Sequence, residues 1–68
     1  MSRYAAHRVI GGSNTIANGV VEITGGRVTN IYPLHGEQHS TVWLPGEIIV
    51  RTDSEGVKRA YYNNEILT

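Results

Sequence analysis

Three histidines, His7, His35 and His39, are the first residues to weigh for chemistry. The last two stand four apart in His35-Gly36-Glu37-Gln38-His39, and on a helix that spacing would turn both rings toward one metal ion. Pro33 and Gly36 oppose a helix here, and the zincin pattern requires glutamate directly after the first histidine. The pair therefore reads as loop residues, and no metal ligand is assigned. Ser13 and Ser40 sit among turn residues without a nucleophile-elbow pattern. There is no cysteine, which removes thiol chemistry, and Glu22 and Glu47 fall where alternating strands put outward side chains. Gly11-Gly12 and Gly25-Gly26 lack the following helix that phosphate cradles use. No catalytic residue and no cofactor are expected, and the chain is not expected to be an enzyme.

Aromatic side chains carry more information. They are Tyr4, Tyr32, Trp43, Tyr61 and Tyr62. Tyr61 and Tyr62 are adjacent, so on a strand they point to opposite faces and one lies on the less buried side. Packing with hydroxyls reaching solvent accounts for most of such a set. The functional alternative is a contact surface drawn from Tyr32, Trp43, Tyr61 and Tyr62, joined by Val20, Ile31 or the apolar tail Ile66 and Leu67.

The elements that must position these residues are strands. Residues 20–50 organise the chain, and their first half holds two β-branched runs around Gly25-Gly26. A type I′ turn at the two glycines pairs Thr24 with Arg27 and Ile23 with Val28, giving Val21, Ile23 and Val28 the core face. Strict alternation then turns Ile31 outward beside Val20. Either a bulge re-aims the strand after Val28, or that end is covered on both faces. In the second half, two more apolar runs flank Pro45-Gly46, a type II turn pair that splays a tight hairpin, so a wider loop or corner is expected there.

Around this centre, residues 3–10 read as a strand with neither parity cleanly apolar, stopped at Gly11-Gly12-Ser13-Asn14. Thr15-Ile16-Ala17 is a short strand or part of a long connection, closed by the turn pair Asn18-Gly19. Residues 33–40 lack periodicity and belong on the surface. Asp53-Ser54-Glu55-Gly56 reads as a four-residue hairpin loop, and Asn63-Asn64 breaks the chain before the apolar tail. The whole predicts a single all-β domain over residues 1–68: a small curled antiparallel sheet, or open barrel or roll, of about six strands.

The glycine-turn hairpin followed by an apolar run, Pro-Gly and a second apolar run resembles the small β domain beside the barrel of amidohydrolase-superfamily enzymes, the imidazolonepropionase and dihydroorotase kind. Ile23, Gly25, Gly26, Arg27, Val28 and Ile31 carry it, then Val42, Leu44, Pro45, Gly46, Ile48, Ile49 and Val50. In that family the second run leads into a Pro-Gly and histidine-pair segment that supplies metal ligands. Here Arg51-Thr52-Asp53-Ser54-Glu55-Gly56 follows, with neither feature. The resemblance covers under half the chain, and it implies the auxiliary β fold without the catalysis. Along its whole length the chain also resembles short bacterial proteins of no assigned function.

Seven valines and seven isoleucines against three leucines and no phenylalanine tilt the composition toward strands. A chain of 68 residues buries only about 60% of the surface its unfolded form exposes, so stability of roughly 3–5 kcal/mol is expected without reinforcement. Disulfides are absent, and oligomerisation is the remaining common reinforcement. Six basic side chains balance six acidic ones, whereas a nucleic-acid module carries a basic excess. No apolar run is long enough to span a bilayer, and the opening residues have no signal-peptide core, so a cytoplasmic protein is expected. The expected role is a non-enzymatic interaction or structural module that self-associates, most simply as a dimer, or meets another protein. Alternatives are an accessory or vestigial domain acting with a separate amidohydrolase-like barrel chain, and an OB-like single-stranded nucleic-acid binder using Tyr32, Trp43, Arg59 and Tyr61, which neutral charge opposes.

Overall fold

A computed structural model describes residues 1–36 and 40–68. Six strands occupy them: β1 (Ser2–Gly11), β2 (Asn14–Thr24), β3 (Arg27–Pro33), β4 (Val42–Thr52), β5 (Lys58–Tyr62) and β6 (Glu65–Ile66). They form one sheet in the order β3-β2-β1-β4-β5-β6, curled into a half-barrel, with no helix among the described residues. The all-β class and the curled open sheet are as the composition predicts.

One pairing departs from the antiparallel expectation. β1 and β4 run parallel, from Tyr4 beside Val42 to Gly11 beside Val50. Two hairpins place β3 two strands away from β1, and the connection after Pro33 then returns the chain to the far side of β1. β3 and β4 thus point the same way. Turn signals specify hairpins, but no local pattern names the partner of a strand that arrives through a crossing connection.

The Gly25-Gly26 hairpin forms as predicted. Thr24 faces Arg27, Ile23 faces Val28, and the two glycines take φ of 60° and 76°, as a type I′ turn requires. The open question about Ile31 resolves on both counts. β3 bulges at Thr29, because Glu22 faces Asn30 while Ile23 faces Val28, and this brings Ile31 inward opposite Val21. The Thr29 hydroxyl donates to the Glu22 carbonyl at 3.2 Å across that bulge. On the other face Val20 is also buried, between Tyr32 and Ala5 in register.

Two predicted breaks prove to be irregularities inside strands. Pro45-Gly46 makes no loop: β4 continues through it, taking three residues from Leu44 to Glu47 while β1 takes two from Ala6 to Arg8. A bulge tolerates proline's missing N–H, and Gly46 supplies φ of 104°. Asn18-Gly19 likewise makes no turn, since β2 runs through it. Asparagine tolerates the left-handed backbone, here φ of 50°, and the inward set shifts from Ile16 to Gly19, Val21 and Ile23. β1 switches parity at the same level, with Tyr4 and Ala6 inward before His7 and Val9 inward after it. This is why neither parity of residues 3–10 is cleanly apolar.

The core comprises Ala6, Val9, Val21, Ile23, Val28, Ile48, Val50 and Ala60, all buried, with Tyr4, Leu44, Tyr62 and Leu67 packed around it. β3 and β5 approach each other across the curl. Arg59 stitches that seam at one end, its Nη1 donating to the Gly26 carbonyl at 2.7 Å. The tail closes over the core: Leu67 N–H donates to the Ala60 carbonyl, and the Tyr4 hydroxyl donates to the Thr68 carbonyl.

Two carboxylates gather donors from separate parts of the chain, Asp53 within its loop and Glu22 between strands. Asp53 Oδ1 accepts from Val57 N–H and Glu55 N–H, each at 2.9 Å, and Oδ2 accepts from Arg59 Nε at 3.2 Å, which fixes the predicted loop. The Val57 amide, most of all, lowers the Asp53 pKa. Glu22 Oε2 accepts from the Tyr32 hydroxyl at 2.6 Å and from Arg3 Nε at 3.0 Å, and the tyrosine hydroxyl is the main reason its pKa is lowered. Both groups bind protons less readily folded than unfolded, so their stabilisation is complete above the ordinary carboxylate range near pH ~4 and is lost as pH falls through the lowered values. Melting temperature should therefore drop below about pH 4. A Glu22→Gln/Asp53→Asn variant should melt lower at pH 7 yet lose less on acidification; an acid slope equal to the parent's would assign the drop to other groups.

Candidate interaction surface

Alternation around the core residues Ile48, Val50 and Ala60 sends Ile49 and Tyr61 to the outer face, and register aligns them with neighbours on either side. Ile10 faces Ile49, Ile49 faces Tyr61, and Tyr61 faces Ile66. The result is an apolar row across β1, β4, β5 and β6. It ends on a two-residue edge strand, where Ile66 is 49% exposed.

Charged groups flank the row. Arg8 and Glu47 face each other in register and form an exposed ion pair at 3.0 Å, while Arg51 lies over the Tyr61 ring at 5.6 Å. A cation over an aromatic face is attracted by the ring's quadrupole, so the exposed Arg51 covers part of the ring while keeping its charge in water. Between the row and the Asn63-Asn64 turn lies a shallow depression of about 390 Å³, bordered by Arg8, Glu47, Ile49, Arg51 and Tyr61. Along β4 the outward sequence is Glu47, Ile49, Arg51: acid, apolar, base.

The residues singled out from sequence divide between the two faces. Tyr61 and Ile66 belong to the outer row. Tyr62 and Leu67 pack against the core, and the Tyr62 hydroxyl donates to the Pro45 carbonyl. Trp43 is on the outer face but lies beside Ala5 in another part of the sheet, 44% exposed, with its ring edge-on to His7 at 4.8 Å. Tyr32 is half-buried next to Val20, held by Glu22. Of the histidine pair, His35 is exposed and His39 lies outside the described residues. Among the described residues no group of three or more histidine and acidic side chains could hold a metal ion, and no helix is long and apolar enough to cross a membrane.

Sequence reasoning passed over Ile10, Ile49 and Arg51. Their signal lies in the alternation of β4, where buried Ile48 and Val50 leave Ile49 and Arg51 on the opposite parity. No family model, curated protein or solved structure matches the chain.

Proposed function

We propose that this chain is a non-enzymatic β module that acts by self-association, and that the outer row Ile10, Ile49, Tyr61 and Ile66 is its contact face. The observation that carries this reading is the order Glu47-Ile49-Arg51 on that face. When two copies stack face to face with their β4 strands antiparallel about a two-fold axis through Ile49, each Glu47 stands over the partner's arginine at the Arg51 position. Such an interface is isologous, matching each side chain of one copy with its complement on the other. The same order favours a second copy over a separate barrel chain, because it needs no charge pattern other than its own. Burying an apolar row also supplies the reinforcement that a short chain without cysteine lacks.

Sedimentation at micromolar concentration should give twice the 7.5 kDa chain mass. Ile49→Glu should raise the dimer dissociation constant at least about tenfold while leaving the circular dichroism of the fold intact, since a buried charge without a partner opposes association. Glu47→Arg should weaken the dimer, and Glu47→Arg combined with Arg51→Glu should restore it. A monomer at every concentration, or a charge swap that restores nothing, would sink the reading.

A further inference from the structure

A different part of the molecule has the form of a small-ligand site. Where β1 turns into β2 and β4 gives way to β5, the half-barrel stays open, and its mouth encloses about 350 Å³. That lies within the roughly 300–1,000 Å³ range of small-molecule pockets. Val9 and Val50, both core residues, form its base, and the half-buried Ile16 and Ile31 form its walls. Among the described residues Lys58 is the one ionisable group lining it, with Asn14 on the rim. Ile31 and Lys58 also border a second groove of about 260 Å³ along β3.

Charge separates this mouth from the rest of a neutral protein. Among the described residues Lys58 makes no ion pair. Asp53, five residues earlier, has turned its carboxylate into its own loop and toward Arg59, leaving the ammonium uncompensated. An apolar hollow with a single cation at its lip is complementary to a molecule with an alkyl body and one negative charge. A lysine ammonium is a point charge that suits a monoanion, and among the described residues no second cation lines the mouth to favour phosphate.

We propose that the mouth binds a medium-chain monocarboxylate, its alkyl chain on Val9, Ile16, Ile31 and Val50 and its carboxylate against Lys58. Hexanoate and octanoate, with hexanol and octanol as neutral counterparts, are the probes. Titrated into isotopically labelled full-length protein at neutral pH, octanoate should shift the methyl resonances of those four residues and leave Ile49 and Ile66 on the outer face unmoved. Each added methylene should tighten binding roughly fourfold, as burial of one CH₂ group implies. Lys58→Gln, at an exposed position, should weaken both carboxylates at least fivefold and leave both alcohols unchanged. Equal binding of octanol and octanoate with an indifferent Lys58→Gln variant would reduce the mouth to an apolar hollow, and no methyl shift at millimolar octanoate would remove the site. Neither outcome touches the self-association face, whose readout is mass.

Discussion

Gly19→Ala should strip this protein of a large part of its stability, although the backbone at that position accommodates alanine. Gly19 sits in the middle of β2 opposite Ala6 and faces the core. A methyl group there would lie 2.7 Å from Val9 Cγ2, 3.0 Å from Val9 Cβ and 3.2 Å from Ile16 Cγ2. Val9 is 1% exposed and is held between β2 and β4, so it has nowhere to retreat. Forcing extra volume into a packed core typically costs about 1–3 kcal/mol, and an alanine's smaller unfolded-state entropy returns only ~0.4–1 kcal/mol. Against a total of roughly 3–5 kcal/mol for a domain this small, the net loss removes much of the margin. Chemical denaturation should therefore give a midpoint far below the parent's. The physical cause is checked by the double variant Val9→Ala/Gly19→Ala, which removes the Cγ2 clash. It should be more stable than Gly19→Ala alone, although Val9→Ala by itself is destabilising. A double variant no better than the sum of the two singles would refute the steric account.

Ile48→Ala and Ile49→Ala should have opposite consequences although the residues are neighbours. Ile48 is fully buried and faces Val9 across the parallel pair at the centre of the sheet. Truncating a buried isoleucine costs about 2–5 kcal/mol, a lost transfer free energy plus a cavity that the surroundings fill only in part. That range spans the whole expected stability, so Ile48→Ala should show no cooperative thermal transition above room temperature. Ile49 points the other way and is half-exposed. Its truncation should leave a cooperative melt, with the loss appearing as weaker self-association and a melting temperature that no longer rises with protein concentration. If Ile49→Ala unfolds the chain as Ile48→Ala does, the assignment of faces on β4 is wrong.

Local signals were legible wherever the chain solves a local problem. Two adjacent glycines take left-handed φ at the β2 to β3 turn, and Asn63 and Asn64 do the same with φ of 51° and 67° between β5 and β6. Asp53 hydrogen-bonds its own loop, as an aspartate at the start of a turn does. The same residue types misled where tertiary contacts took them over. Asn18 and Gly19 look like a turn, yet one supplies the left-handed kink that re-aims β2 and the other the space for Val9. Pro45 and Gly46 look like a loop, yet they form a bulge inside β4, whose two sides are held by β1 and, through the Tyr62 hydroxyl, by β5. The proposed contact face was half legible. Tyr61 and Ile66 were visible as apolar residues near the end of the chain, but the row that joins them to Ile10 and Ile49 exists only through register across four strands.

By itself the sequence determined the class of structure, the β2 to β3 hairpin with its pairing and its core face of Val21, Ile23 and Val28, and the Asp53 loop, because each depends on backbone preference or on alternation within a few residues. Only the tertiary structure decided that β4 lies parallel to β1, that β1 and β2 exchange faces together, and that Glu47, Ile49 and Arg51 share a surface with Ile10 and Tyr61. Those features depend on which strand lies next to which. A crossing connection sets that through packing between residues distant in sequence, and no short stretch of residues encodes it.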